Sequence, residues 1–289
     1  MTSAGAIFRL ARPKQWSKNL LVLAAPVAAG DLFDSGVAGP TLVAFVAFCL
    51  ASSSVYCLND VVDVEADRLH PRKKDRPVAG GEVAERTALV AAVLLGVLAL
   101  GVAALARPAL VALVAVYLVL QLTYSAWLKH EPVMDLSVIT GGFLIRAVAG
   151  GLAADIEISQ WFLLVAGFGS LFIVSGKRYS ELHTLGAAQG TRRSLVRYTD
   201  TYLRFVWSMA AAATVMSYSL WAFDQSAGTG GPSWHLISTA PFVVGMLRYA
   251  VDIDAGTAAE PEDIIAGDRV LQGIGVVWLA CVCIGIAGA

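Results

Sequence analysis

Residues 91–106 read AAVLLGVLALGVAALA, sixteen positions with no charged or hydrogen-bonding side chain. A helix made from them is apolar on every face, and such a helix is stable only inside a large core or inside lipid. Crossing a bilayer takes about 20 largely apolar residues, and 85–106 supplies that length. The rest of the chain agrees. Of its 289 residues, 57% are A, V, I, L, M, F, W, Y or C and 15% are charged, against about 25% charged in an average soluble protein. That leaves too little polar surface to clothe a soluble globule, so the fold class is an all-α polytopic membrane protein. Runs of short alternating strands are absent, which argues against a membrane β-barrel.

Outward from this stretch, nine segments read as spans, near 19–34, 40–59, 85–106, 109–128, 133–154, 159–176, 201–223, 234–250 and 270–288, all within one integral membrane domain. The first is the weakest, because Pro26 and Asp31 interrupt it. Gly141-Gly142, Gly150-Gly151, Gly167 and Gly169 are small residues suited to close helix approach. With the N-terminus placed in the cytoplasm, 19 of the 21 Lys and Arg residues fall on the cytoplasmic side. Arg107 alone lies opposite, and Arg146 lies within a span. The bias follows the positive-inside rule and supports an odd number of spans.

Several classes are excluded. The net charge of −1 offers no basic field for nucleic acid. Cys49, Cys57, Cys281 and Cys283 lie in apolar segments without metal or redox spacing and read as small buried hydrophobes. The N-terminal Arg9, Arg12, Lys14 and Lys18, broken by Pro13 and Trp16, do not form a cleavable signal peptide.

Polar chemistry collects at the cytoplasmic ends of the even-numbered spans: NDVVDVEAD (59–67), YSAWLKHEPVMD (124–135), SGKRYSEL (175–182) and RYAVDIDAG (248–256). The first is the most informative. On a continuous helix, Asp60, Asp63 and Asp67 share one sector of about 60° with Asn59 at its edge, while Glu65 points away. Three like charges on one face repel one another. A hard divalent ion would neutralise them, and magnesium suits such oxygen ligands and bridges them to phosphates. The loop HPRKKDRP (70–77) follows. Its Arg72, Lys73, Lys74 and Arg76 suit either anionic headgroups or the outer oxygens of a diphosphate.

The pattern N-D-x-x-D-x-x-x-D followed by R-K-K-D-R-P resembles the first metal motif and basic loop of the UbiA-type membrane prenyltransferase superfamily. That resemblance implies a UbiA-like helical bundle with a cytoplasmic-facing active-site cavity, and Mg2+ held on a diphosphate by Asn59, Asp60, Asp63 and Asp67. The family's second motif is met by Tyr124, Lys129 and Asp135, but Ile139 stands where its last aspartate belongs.

The stretches RPKQWSKN (12–19), YSAWLK (124–129), SGKRYSEL (175–182) and PEDIIAGDRVLQ (261–272) are similar to a narrower branch, the decaprenyl-phosphate phosphoribosyltransferases. The branch implies phosphoribosyl diphosphate as donor, polyprenyl (decaprenyl) phosphate as acceptor, and a product that feeds arabinan cell-wall synthesis at the bacterial plasma membrane. Asp60, Asp63, Asp67, Lys129 and Asp135 would then carry the chemistry. Arg72, Lys73, Lys74 and Arg76 would grip the diphosphate, and Lys129, Lys177 and Arg178 would grip phosphates. Lys14 and Lys18 would hold the lipid headgroup. Arg146, costly in mid-span, would meet the acceptor phosphate or a buried acid. A homo-oligomer is compatible with this reading. The rivals are an aromatic-acceptor prenyltransferase and a membrane carrier. Against the carrier, the acids lie at a span end and not at the midplane.

Overall fold

The computed structural model describes residues 4–69, 73–185, 195, 197–226 and 233–287, and every regular element among them is helical. The chain forms two compact units: residues up to Lys129 with Ile145–Glu157, and His130–Leu144 with the residues from Ile158 onward.

The first unit holds α1 (Ala4–Ala11), a 3₁₀ segment (Pro13–Leu23), α2 (Ala24–Ala29), α3 (Ser35–Val62), α4 (Val64–Leu69), α5 (Glu85–Ala104), α6 (Pro108–Ala126) and the second half of α7 (Met134–Ala154). The second holds the first half of α7, then α8 (Gln160–Leu185), α9 (Asp200–Ser226), α10 (Trp234–Asp254), α11 (Pro261–Gly267) and α12 (Arg269–Ala287). Eight of these helices, α3, α5 to α10 and α12, are long and apolar enough to cross a membrane. They fall on the second to ninth predicted spans.

The first predicted span takes another form. Pro13 opens a 3₁₀ segment, α2 starts afresh at Ala24 with Pro26 in its first turn, and Gly30 ends it at φ 82°. Proline is tolerated in a first turn, where its missing N–H has no helical partner anyway. Glycine adopts the left-handed C-terminal conformation without a Cβ penalty. Within the polar run Lys14–Asn19, two side chains are tied to α3. Trp16 Nε1 donates to Ser53 Oγ at 3.0 Å, and buried Asn19 donates to Ser52 Oγ at 3.2 Å.

The stretch that looked apolar all round has two unlike faces. Ala88, Ala92, Gly96, Ala99 and Ala103 are the buried residues of α5, while Leu89, Val90, Val93, Leu94, Val97 and Leu98 are exposed. Lipid is as apolar as leucine, so burying leucine gains little there. Small residues let backbones close up, and close packing is what holds membrane helices together. Facing α5, Ser54 of α3 donates to the Ala92 carbonyl at 2.6 Å. Phe48 and Tyr117 (ring centroids 5.4 Å apart) fill the centre of this core.

Among the predicted close-approach glycines, Gly150 of α7 lies so near the Val22 carbonyl that a Cβ there would overlap it, whereas Gly167 has open space. Gly150→Ala is expected to cost about 1–3 kcal/mol by overpacking, and Gly167→Ala to stay within about 0.5 kcal/mol. Thermal unfolding of both variants in the same detergent separates the two.

In the second unit, Phe172 packs against Trp207 and Tyr249, and Tyr179 against Trp207. Ile139 joins this core. Cys49, Cys57 and Cys281 are buried as expected, but Cys283 is exposed. This corrects the reading of four buried cysteines. Cys283 is two residues from Cys281, a separation that turns side chains to different faces of a helix.

Candidate active site

The acidic sector forms where α3 ends. A continuous helix to Asp67 was expected, but it is interrupted at Asp63 (φ −96°, ψ 8°) before α4 begins at Val64. The run Val61-Val62-Asp63-Val64 consists of weak helix formers. The i→i−4 bonding nevertheless carries across the break: Asp63 N donates to Asn59 O at 2.9 Å and Asp67 N to Asp63 O at 2.8 Å. Facing is therefore kept. Asp60 and Asp67 are buried, and Glu65 is exposed and bonded to Arg68. The Asp63 side chain is 35% exposed.

Each aspartate meets a cation. Arg12 donates directly to Asp60 Oδ1, and Arg76 Nη1 lies 3.5 Å from the same oxygen. Arg76 also donates to Asp67 Oδ2, so it bridges the two buried acids. Lys129, in a 3₁₀ turn (Leu128–His130) after α6, donates to Asp63. Ser125 donates to the Asn59 amide oxygen.

Arg76 is placed by a tight loop. Its carbonyl accepts from Gly80 N at 2.8 Å, and Pro77, Val78 and Val83 are buried beneath it. A Cβ at Gly80 would sit 3.2 Å from that carbonyl oxygen, a tight contact that a glycine avoids. Lys73 is half-buried and Lys74 exposed. Arg72 and His70 lie outside the described residues.

The donor set suits a hard divalent cation, being carboxylate and amide oxygens. Asp60 adds a specific sign of this, because its Oδ2 is buried without a hydrogen-bond partner. An unsatisfied buried acceptor costs about 1–3 kcal/mol, and a bound cation would satisfy it. In this conformation the acids are spread over three basic partners. Among the described residues, no three acidic, histidine or cysteine side chains gather closely enough to hold a metal.

The remaining predicted residues of the first unit are placed as follows. Tyr124 is buried on α6, Lys14 is exposed and Lys18 half-buried. Buried Arg146 donates to Asn19 Oδ1 at 2.8 Å and to Tyr117 OH at 2.7 Å, with its guanidinium 4.8 Å from the Tyr117 ring centre. In this network Arg146 ties α7 and α6 to the 3₁₀ segment.

The second unit holds its own polar cluster. Arg178 clamps Asp135 through Nε (2.7 Å) and Nη2 (3.1 Å), and donates to Glu181 at 2.6 Å. Asp135 and Arg178 are both buried. Lys177 meets Glu260 at 3.0 Å. Asp135 follows a strained turn, where Val133 at φ 68° donates its N–H to Tyr198 OH at 2.9 Å. Burial pushes the Tyr198 hydroxyl up to about 12, so it stays protonated.

Sequence reasoning missed Arg12, Ser125 and Glu181. Arg12 is the instructive one. It opens the stretch RPKQWSKN, yet nothing in one sequence pairs it with an acid 48 residues away.

Residues 20–265 match the UbiA prenyltransferase family. A Mycobacterium tuberculosis protein named decaprenyl-phosphate phosphoribosyltransferase is 50% identical over 288 residues, spanning 97% of this chain and 94% of its own. A Corynebacterium glutamicum protein of the same name is 48% identical over 291 residues, spanning 98% and 87%. A solved UbiA homolog from Archaeoglobus fulgidus, bound to GPP and Mg2+, superposes with a TM-score of 0.74 over 98% of this chain and 99% of its own at 17% identity. At that identity the likeness speaks for the fold.

Proposed function

This chain belongs to the UbiA prenyltransferase family, and on that footing we propose that it transfers 5-phosphoribose from phosphoribosyl diphosphate to decaprenyl (polyprenyl) phosphate, releasing diphosphate. The observation that carries this is the convergence of Asp60, Asp63 and Asp67 with Arg12, Arg76 and Lys129 at the end of α3. Half-identity to relatives named for this reaction supplies the substrates.

Asn59, Asp60, Asp63 and Asp67 would hold Mg2+, which when bound neutralises charge on the departing diphosphate. The chain's own residues do the rest. Arg76, Lys73 and Lys74, with Arg72, grip diphosphate oxygens as the bond from anomeric C1 to diphosphate breaks. A phosphate oxygen of the lipid forms the new bond to C1. That phosphate is ionised at neutral pH, so no general base is required. Lys129, next to Asp63, is a further phosphate grip, and Lys14 and Lys18 hold the lipid headgroup. Asp135, Lys177 and Arg178 form a second polar cluster in the second unit. The cation bias supports a cytoplasmic-facing site, and the reading sets it at a bacterial plasma membrane.

The experiment is direct. Membranes containing the protein, supplied with ribose-labelled phosphoribosyl diphosphate, magnesium and decaprenyl phosphate, are expected to yield one labelled lipid per diphosphate released. EDTA is expected to stop the reaction and excess magnesium to restore it. Activity that ignores phosphoribosyl diphosphate but consumes a prenyl diphosphate with an aromatic acceptor would replace this reading with its nearest rival.

A further inference from the structure

We propose that Arg12 is a displaceable counter-ion of Asp60, a positioning residue whose guanidinium holds the carboxylate until a divalent cation takes its place. Arg12 thereby sets the ion concentration at which the site loads. This rests on the metal reading of the acidic sector.

Three features of the pair point this way. The first is its asymmetry. Arg12 and Arg76 both address Asp60 Oδ1, while Oδ2 of the same fully buried side chain has no hydrogen-bond partner. A pair selected for stability would use both oxygens, as Arg178 does with Asp135 in the second unit. One oxygen served twice and the other left over is the arrangement of a ligand held in waiting.

The second feature is the backbone. Arg12 joins α1 to the 3₁₀ segment at φ 52° and ψ 59°, a left-handed conformation. Residues other than glycine adopt it at an energetic cost, and such strain concentrates at functional positions. The following Pro13 further restricts residue 12 by disfavouring the right-handed helical region. The strain delivers the guanidinium to Asp60 from outside α3.

The third is that Arg12 can let go. Its side chain is 24% exposed, against 0% for Asp60. In the same pose its guanidinium carbon lies 5.0 Å from the centre of the Tyr56 ring, a cation contact that does not depend on Asp60. Arg76 has a different part, since it ties Asp60 to Asp67.

Arg12 and a divalent cation therefore compete for Asp60, and removing the arginine charge strengthens binding of the bare ion. A residue that merely fastened the N-terminal segment would give no such gain. The test uses the full chain purified in detergent, without substrate, titrated with Mn2+ and read by loss of the free-ion paramagnetic signal. Arg12→Gln and Arg12→Met are expected to bind Mn2+ about tenfold more tightly than wild type, and Arg12→Lys within about threefold of it, since the ammonium restores the charge. Gln retains a donor for Asp60, so at least one neutral variant keeps the segment tied down. Neutral variants that bind Mn2+ no better than wild type, or a Lys variant that matches them, would overturn the counter-ion role. Wild-type protein that binds no Mn2+ would overturn the metal reading itself, a separate failure.

Discussion

Asp63→Ala is expected to lower kcat/KM for phosphoribosyl transfer by about a thousandfold, the scale on which a single electrostatic group at a reacting centre counts. Asp63 is the aspartate best placed to change partners. It lies at the helix break, is 35% exposed, and is held by Lys129. Removing it leaves Asp60 and Asp67 paired through Arg76, so the fold of the sector survives while a magnesium ligand is lost. Asp60→Ala and Asp67→Ala are expected to fall as far, with added instability because each strips a buried partner from Arg76. Glu65→Ala is the matched control. It removes the same charge two residues away, from an exposed side chain bonded to Arg68, and is expected to keep activity within about twofold. Steady-state assays on membranes with equal protein content decide the comparison.

Arg178→Met carries the second large effect. It leaves the Asp135 side chain, fully buried, without the guanidinium that clamps both its oxygens. Breaking a buried pair from one side costs about 3–5 kcal/mol, whereas replacing both partners with apolar residues of similar size is often neutral. Arg178→Met is therefore expected to lower the unfolding temperature by several degrees, and the Asp135→Leu/Arg178→Met double variant to recover most of the loss. If Asp135 takes part in the chemistry as proposed, the recovered double variant is expected to remain without transfer activity. Full activity in the stable double variant would reduce this cluster to scaffolding.

Periodicity and charge are enough to read much of this molecule. Leu89, Val93 and Val97 against Ala88, Ala92 and Ala99 cannot be told apart by hydropathy, so α5 was legible as a span but not for which face packs. The local form of the terminal segment was less legible. Residues 19–34 read as one apolar stretch, but Pro13, Pro26 and Gly30 divide it into a 3₁₀ segment and a short helix. At the site, the helical angle of about 100° per residue separated buried Asp60 and Asp67 from exposed Glu65, even though the helix breaks between them. The cationic partners were only partly legible. Arg76 follows its acids closely in the chain, whereas Arg12 and Lys129 reach theirs across 48 and 66 positions. Ile139 shows the opposite case. Its departure from the family pattern was visible in the sequence, and its place in the apolar core of the second unit was not.

A density map of the protein with Mg2+ and phosphoribosyl diphosphate measures the main claim most directly. An ion is expected about 2.1 Å from oxygens of Asp60, Asp63 and Asp67 and from the diphosphate, with Arg12 moved off Asp60. A donor bound elsewhere, with the three aspartates still held by Arg12, Arg76 and Lys129 and no ion among them, would contradict it.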